Sequence, residues 1–261
     1  MCPRQPRRDL VRSPRGRPPS SLWPLPACGL LVAGAALVAA ARPATGQPPA
    51  APPAQADINA RFLDPGLDPA EWVARFEVES REIFAARETI VAAVGLEPGD
   101  RIADVGAGTG VFLGPFAEAV GPAGRVYAVD ISPRLIEFVE QRIEDEGLGN
   151  VAAVLSAEDS TRLAPGSVSH VFACDTYHHF EQYPEMLASI RQALVPGGEL
   201  VIVDFERIPG VSRDWLLEHV RAGKETVRKE IEKAGFDFLE EVEVPAFKEN
   251  YLLRFRKSAS P

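Results

Sequence analysis

The sequence predicts an α/β fold: a mainly parallel sheet with helices on both faces. Three observations carry this. Short apolar runs recur along the chain, each ending at a glycine, an aspartate or a polar cluster. Between them lie amphipathic stretches of helical period. The residues able to do chemistry fall just beyond the carboxyl ends of the runs, where open α/β sheets bind ligands. Composition agrees. The 261 residues, 46% hydrophobic and 25% charged, exclude a fibrous or wholly disordered chain and suffice for one sizeable core.

Each element has a local reason. Asp68-Pro69 reads as an N-cap followed by proline at the first helical position. Ile83, Phe84, Ile90, Val91 and Val94 keep a helical spacing up to a stop at Gly95. Arg101 to Val105 is a buried-strand candidate running into glycines, and Arg125 to Val129 is the second, ended by Asp130. Ser132-Pro133 caps a helix whose apolar face is Leu135, Ile136, Phe138, Val139 and Ile143, closed by Gly147. Val151 to Leu155 and His170 to Cys174 are strands three and four. Leu187, Ile190 and Leu194 line a helix stopped by Pro196-Gly197-Gly198, before strand five at Leu200 to Val203. One long helix is expected over Trp215 to Ala234. The runs near Phe238–Val244 and Tyr251–Arg256 have no helix between them and should pair antiparallel.

Charge divides the chain. Residues 1–56 carry seven arginines and one aspartate, whereas the remainder carries 21 Lys and Arg against 36 Asp and Glu. A body this acidic repels phosphate backbones, which argues against nucleic acid as a partner. Six arginines before residue 25, an uncharged run from Leu25 to Ala41 and small residues through Gly46 form the pattern of an export signal. Residues 1–46 are therefore expected to be a signal peptide, with an uncleaved membrane anchor as the other reading, and the body is expected to be exported. Membrane contact is expected only through that segment. Residues 47–58 are a proline-rich linker, 59–99 a helical lid and 100–258 the main domain. Of Cys2, Cys28 and Cys174, only Cys174 lies in the body, which excludes an internal disulfide or a cysteine-rich metal site there.

The strongest motif is Asp104-Val105-Gly106-Ala107-Gly108-Thr109-Gly110, between a strand and a helix. Its third glycine comes one residue too early for the dinucleotide fingerprint, and Val111 stands where that fingerprint wants glycine. Twenty residues on, Asp130 ends strand two, where a carboxylate can accept from a ribose diol. Glu158 and Asp159 follow strand three, where either can accept from an adenine amino group.

Taken in order, D-V-G-A-G-T-G, V-Y-A-V-D, the acid after strand three and L-V-P-G-G-E-L-V-I-V-D resemble a class I S-adenosylmethionine-dependent methyltransferase. The style is that of the broad group containing the ubiquinone/menaquinone-biosynthesis enzymes. The resemblance covers about residues 80–257. It implies a Rossmann-like seven-stranded sheet with an antiparallel last strand, S-adenosylmethionine as cofactor and methyl transfer to a small-molecule acceptor. It also implies that Asp104, Gly106 and Gly108 hold the cofactor's methionine end, with Ala107 and Gly110 of the same loop also binding the cofactor. Asp130 would take the ribose hydroxyls and Ile131 would pack on the adenine. Asp159 matches the family's adenine acid by position, with Glu158 as the competing carboxylate.

The acceptor side would be Cys174-Asp175-Thr176-Tyr177-His178-His179-Phe180 after strand four, with Asp175 bordering the cofactor. His178 or His179 could serve as a base and Tyr177 as an orienting hydroxyl. A metal held by His178, His179 and Asp175 is disfavoured, because adjacent histidines point apart and no third histidine is near in sequence. Glu206, Arg207, His219, Arg221, Lys224 and Tyr251 fall where acceptor pockets form, and Trp72, Phe76 and Arg81 belong to the expected lid. No Asn/Asp-Pro-Pro-Tyr follows strand four, and no Pro-Cys loop is present. Two other readings stand beside methyl transfer: a protein that binds S-adenosylmethionine without transferring from it, and a nicotinamide-dependent oxidoreductase.

Overall fold

The computed structural model describes residues 58–79 and 81–259. The expected signal or anchor over 1–46 and all but the last residue of the linker lie outside them. Seven strands form one sheet: β1 Arg101–Val105, β2 Arg125–Asp130, β3 Val151–Leu155, β4 Val168–Cys174, β5 Leu194–Phe205, β6 Phe236–Glu241 and β7 Asn250–Lys257. Their order is β3-β2-β1-β4-β5-β7-β6. The first five pair in parallel, and β7 runs antiparallel between β5 and β6. The Rossmann-like expectation, including its antiparallel end, holds.

Alternation along the strands builds two cores, one on each face. In β1, Ala103 and Val105 face one cluster and Ile102 the other. The first face is covered by α6 (Tyr183–Ala193) and α8 (Lys224–Lys233), through Leu187, Ile190, Val227 and Ile231. The second is covered by α3 (Arg87–Val94), α4 (Leu113–Val120) and α5 (Pro133–Asp145), through Ile90, Phe116 and Val139. Each such side chain contributes about 1.5–3 kcal/mol by leaving water. Burial on both faces explains why these strands read as unbroken apolar runs.

Local signals set the helix ends. Asp68 accepts from the Ala70 amide at 3.0 Å and starts α1 (Pro69–Phe76); Ser132 caps α5 through the Leu135 amide at 3.4 Å. A short α2 (Glu82–Ala85) precedes α3, which ends at Gly95. Two expectations need correction. Leu194 opens β5, opposite Val168, and does not close α6. The long helix is broken into α7 (Asp214–His219) and α8, with 220–223 between. Arg221 forces the break. Its guanidinium turns inward and grips Glu230 of α8 through two contacts of 2.7 Å, a fork that a continuous helix could not bring round. The break leaves His219 at the end of the short α7, which packs on the body through the buried Leu216.

Candidate active site

The site lies beyond the carboxyl ends of β1, β2 and β4, as the sequence placed it. From β1 the chain turns at Gly106, where φ is +79°. A Cβ there would stand 2.3 Å from Thr176 Cγ2, so the loop packs against the end of β4 as only glycine permits. The Gly106 and Ala107 amides donate to the Val129 carbonyl at 2.7 and 3.1 Å, locking the loop to β2. The Gly108 amide donates to Asp130 Oδ2 at 2.8 Å and the Ser132 amide to Asp130 Oδ1 at 2.8 Å. Each carboxylate oxygen keeps a lone pair, so Asp130 can still accept from a diol. Gly110 is a correction: it does not line the cavity, and a Cβ there would meet Leu113 Cδ1 at 2.7 Å. It shapes the entry to α4.

Asp104 is buried, 2% exposed, and its Oδ2 has no hydrogen-bond partner. Burial, reinforced by the charge of Asp130, pushes its carboxyl up to about 8. An orphaned acid facing a cavity is a socket for a cationic or donor-rich group. Burial also raises Asp130, though three backbone amides oppose it.

A cavity of about 860 Å³ starts at Asp104, Gly106, Ala107, Gly108, Asp130 and Ile131 and reaches His178 and His179. Glu158 lines it and is met by Gln182 Nε2 at 3.3 Å, whereas Asp159 does not line it. Of the two carboxylates in competition for the adenine, Glu158 is the one that borders the cavity. The N-terminal segment covers the cavity through Phe62, Trp72, Phe76 and Arg81. Arg81 reaches Asp175 at 2.7 Å, and Asn250 of β7 donates to the same carboxylate at 2.6 Å. Asp175 sits at φ +49°, a left-handed conformation that Asp tolerates better than most residues, and these two partners hold it there. Burial raises its carboxyl to about 6 despite the Arg81 charge. Its observed work is to join the cover to the sheet. Arg142 of α5 ties Glu77 at 2.7 Å and the Thr109 carbonyl at 3.0 Å.

On the far side, residues Tyr177–His179 form one 3-10 turn, which sends Tyr177 into the core but keeps the His178 and His179 rings together, centroids 4.3 Å apart, against the expectation that adjacent histidines point apart. Tyr177 is a second correction. It is fully buried in the core and donates to Glu230 Oε2 at 2.9 Å, away from the cavity. Burial and the Glu230 charge drive its phenol far above the usual range. It anchors the turn; it does not orient an acceptor. His178 lines the cavity, with Nδ1 2.7 Å from Asp204 Oδ1 and its backbone amide 3.0 Å from Asp204 Oδ2. Burial disfavours the imidazolium, but Asp204 more than offsets this and the group titrates above its ordinary range. His179 has Nδ1 3.2 Å from Asn59 Oδ1, while Asn59 Nδ2 donates to the His179 carbonyl at 3.0 Å. Burial and the neighbouring His178, His219 and Arg61 push His179 down to about 2. His219 joins them from α7, its ring centroid 5.1 Å from His178 and 5.2 Å from His179. The third histidine missing from the local sequence is thus supplied through space. The sequence placed His219 near an acceptor pocket; it did not single out Asn59, Phe205, Trp215 or Asn250. Glu206, Arg207, Arg221, Lys224 and Tyr251 do not line the cavity.

S-adenosylmethionine fits these residues. An orphaned acid for an ammonium, a diol acceptor, an apolar wall at Ile131 and a rim carboxylate at Glu158 line one cavity.

Residues 102–198 match a family described as a methyltransferase domain. The chain is 30% identical over 117 residues to the ubiquinone/menaquinone biosynthesis C-methyltransferase of Ectopseudomonas mendocina, covering 44% of this chain and 45% of that protein. It is 29% identical over 118 residues to the demethylmenaquinone methyltransferase of Geobacillus kaustophilus, covering 45% and 50%. The chain thus spans about half the length of these curated relatives. Among solved structures, a SAM-dependent methyltransferase from Aquifex aeolicus superposes with a TM-score of 0.65 at 26% identity, covering 73% of this chain and 99% of that one. The nicotinamide reading falls with the early third glycine and these matches.

Proposed function

We infer that this chain is a class I S-adenosylmethionine-dependent methyltransferase that methylates a small molecule held between the glycine loop and the histidine turn. The observation that carries this is the continuity of one cavity from Asp104 and Asp130 to His178 and His179. When bound, the cofactor supplies a methyl group on a sulfonium, open to in-line displacement. The chain's own residues do the rest. Asp104 pairs the cofactor's ammonium, Asp130 accepts from its ribose hydroxyls and Glu158 from its adenine amino group. The cover excludes water and fixes the acceptor's angle of approach. Orientation alone is worth up to about 7–11 kcal/mol in favourable cases.

Asp204 takes the Nδ1 proton of His178 in a hydrogen bond, which leaves Nε2 as an acceptor. That nitrogen can draw a proton from an acceptor hydroxyl as the nucleophile develops. Phe62, Trp72, Phe205 and Trp215 line the acceptor side and suit a planar aromatic partner. The shared volume favours a small molecule over a macromolecule.

Calorimetric titration of the full chain with S-adenosylhomocysteine, beside Asp130→Ala, is the first test. Micromolar binding that weakens at least about tenfold in the variant supports the reading, since a charge-assisted hydrogen bond is worth about 1.5–3 kcal/mol. No binding by the folded chain overturns it. Binding without label transfer from S-adenosylmethionine to any hydroxylated aromatic acceptor would favour a cofactor-binding protein that transfers nothing.

Export or anchoring by residues 1–46 is part of the proposal and rests on the sequence pattern. Among the described residues, no helix is long and apolar enough to cross a membrane. Fractionation of a C-terminally tagged chain would decide, and a body found in the cytosol would overturn it.

A further inference from the structure

We propose that His178, His179 and His219 bind a divalent transition-metal ion, Zn²⁺ or a near neighbour in its row, with an open coordination position facing the acceptor. One nitrogen from each lies within 4.8 Å of the others. A four-coordinate zinc with bonds of about 2.0–2.1 Å wants its nitrogens roughly 3.4 Å apart, so modest side-chain rotation closes the set. His219 is placed to supply that movement, at the end of the short α7, half-buried and in ring contact with Trp215 at 6.0 Å.

Hydrogen bonding around the rings points to a cation and not to a mere cluster. None of the three imidazoles hydrogen-bonds another among the described residues. Instead, two of them have an outer partner that fixes the tautomer. An ionised carboxylate can only accept, so His178 gives its Nδ1 proton to Asp204. The Asn59 amide is oriented by its own donation to the His179 carbonyl, so its oxygen faces His179 and takes the Nδ1 proton. In the neutral form both rings therefore present a bare Nε2, and at His178 a metal must displace the proton that Asp204 helps the ring to keep. A hydrogen-bonding partner behind a ligating histidine, as His178 and His179 have, orients and strengthens a metal ligand. Arg61 is the nearby positive charge that opposes a cation, and Asp204 and Asp175 offset it. A set of imidazoles selects zinc, cobalt, nickel or copper over magnesium or calcium.

Three protein ligands leave a position for substrate. With the metal on Nε2 of His178, that ring no longer acts as the base; an acceptor oxygen bound in the open position would instead lose its proton to solvent near neutral pH, as water does on zinc. The acceptor class is then a molecule with an ionisable hydroxyl. This consequence rests on the methyl-transfer reading; the metal site itself does not.

The test titrates the full chain with ZnCl₂ against a chromophoric chelator, and with CoCl₂ by visible absorption. His219→Ala and Asp204→Asn run alongside, and melting shows that each variant folds. Expected is one strong zinc equivalent per chain, intense four- or five-coordinate Co²⁺ bands, and zinc binding roughly 10–100-fold weaker in Asp204→Asn, as for other lost outer partners. In His219→Ala the strong equivalent should disappear. Zinc binding as strong in His219→Ala as in the parent overturns the proposal, as does a parent that gives only weak octahedral Co²⁺ bands. Should His219→Ala fail to fold, the Co²⁺ spectrum of the parent decides alone. Failure of the methyl-transfer reading is separate: it shows as tight zinc without S-adenosylhomocysteine binding, which supports the metal site and removes its assigned role.

Discussion

Replacing Asp104 by asparagine should change ligand binding and stability in opposite directions. The free carboxyl titrates near 8, held up by burial and by Asp130. A ligand ammonium keeps its proton below that pH and pairs best with the ionised acid. Binding then requires Asp104 to lose a proton, so affinity climbs with pH up to about 8. At pH 6 only about 1% of the acid is ionised, so S-adenosylhomocysteine should bind about 100-fold more weakly than at the plateau, or about 2.7 kcal/mol. Asp104→Asn should bind weakly at every pH, with a flat profile between 6 and 8. The ligand-free stability runs the other way. The unfolded acid titrates near 3.9 and the folded one near 8, so the folded state holds more protons between those values. Stability contributed by the raised carboxyl is therefore present at low pH and lost as pH rises through 8. Asparagine removes that loss, and the variant should melt higher than the parent above about pH 5, by a margin that widens toward pH 8 and reaches several kcal/mol. Calorimetry at four pH values and melting curves at the same values give both readouts. A parent whose affinity is flat from pH 6 to 8, or a variant that keeps the slope, would refute the argument.

Three further outcomes follow from the geometry. Gly106→Ala should abolish S-adenosylhomocysteine binding and lower the melting temperature, because its methyl would stand 2.3 Å from Thr176 at a positive φ; calorimetry and melting check this. Tyr177→Phe should cost about 1.5–3 kcal/mol in denaturant unfolding while leaving cofactor affinity unchanged, since the phenol meets the Glu230 carboxylate in the core. Glu158→Ala should weaken S-adenosylhomocysteine by roughly tenfold and Asp159→Ala should leave it alone, as only Glu158 lines the cavity; equal effects in titration would contradict this.

Much of the framework was legible because its causes are local. β1 and β3 begin and end where their apolar runs do, and Asp68 and Ser132 cap the helices they mark. The fused helix over Trp215 to Ala234 was misread for the opposite reason. Val220 and Ala222 continue the apolar pattern, and the break comes from Arg221 reaching a partner nine residues away. Tyr177 was misread because a tight turn sends neighbouring side chains to different places. Asn59 could not be found at all: it acts on His179 from 120 residues away. Asp204 was visible as the end of a motif, but its partner was not.

The cover over the cavity also acts as a clock. It is pinned at Asn59 to the histidine turn, at Glu77 to α5, at Arg81 to Asp175 and at Glu82 to the amides of Lys248 and Glu249. With about 0.5–1 kcal/mol at each pin, releasing all four costs about 3 kcal/mol, and the open form is below about 1% of molecules. The cavity is partly open as it stands, and release of the cover widens that route. The same four pins that cover the reaction thus bear on the residence time of whatever the cavity holds, and loosening any one of them should quicken exchange at both ends together.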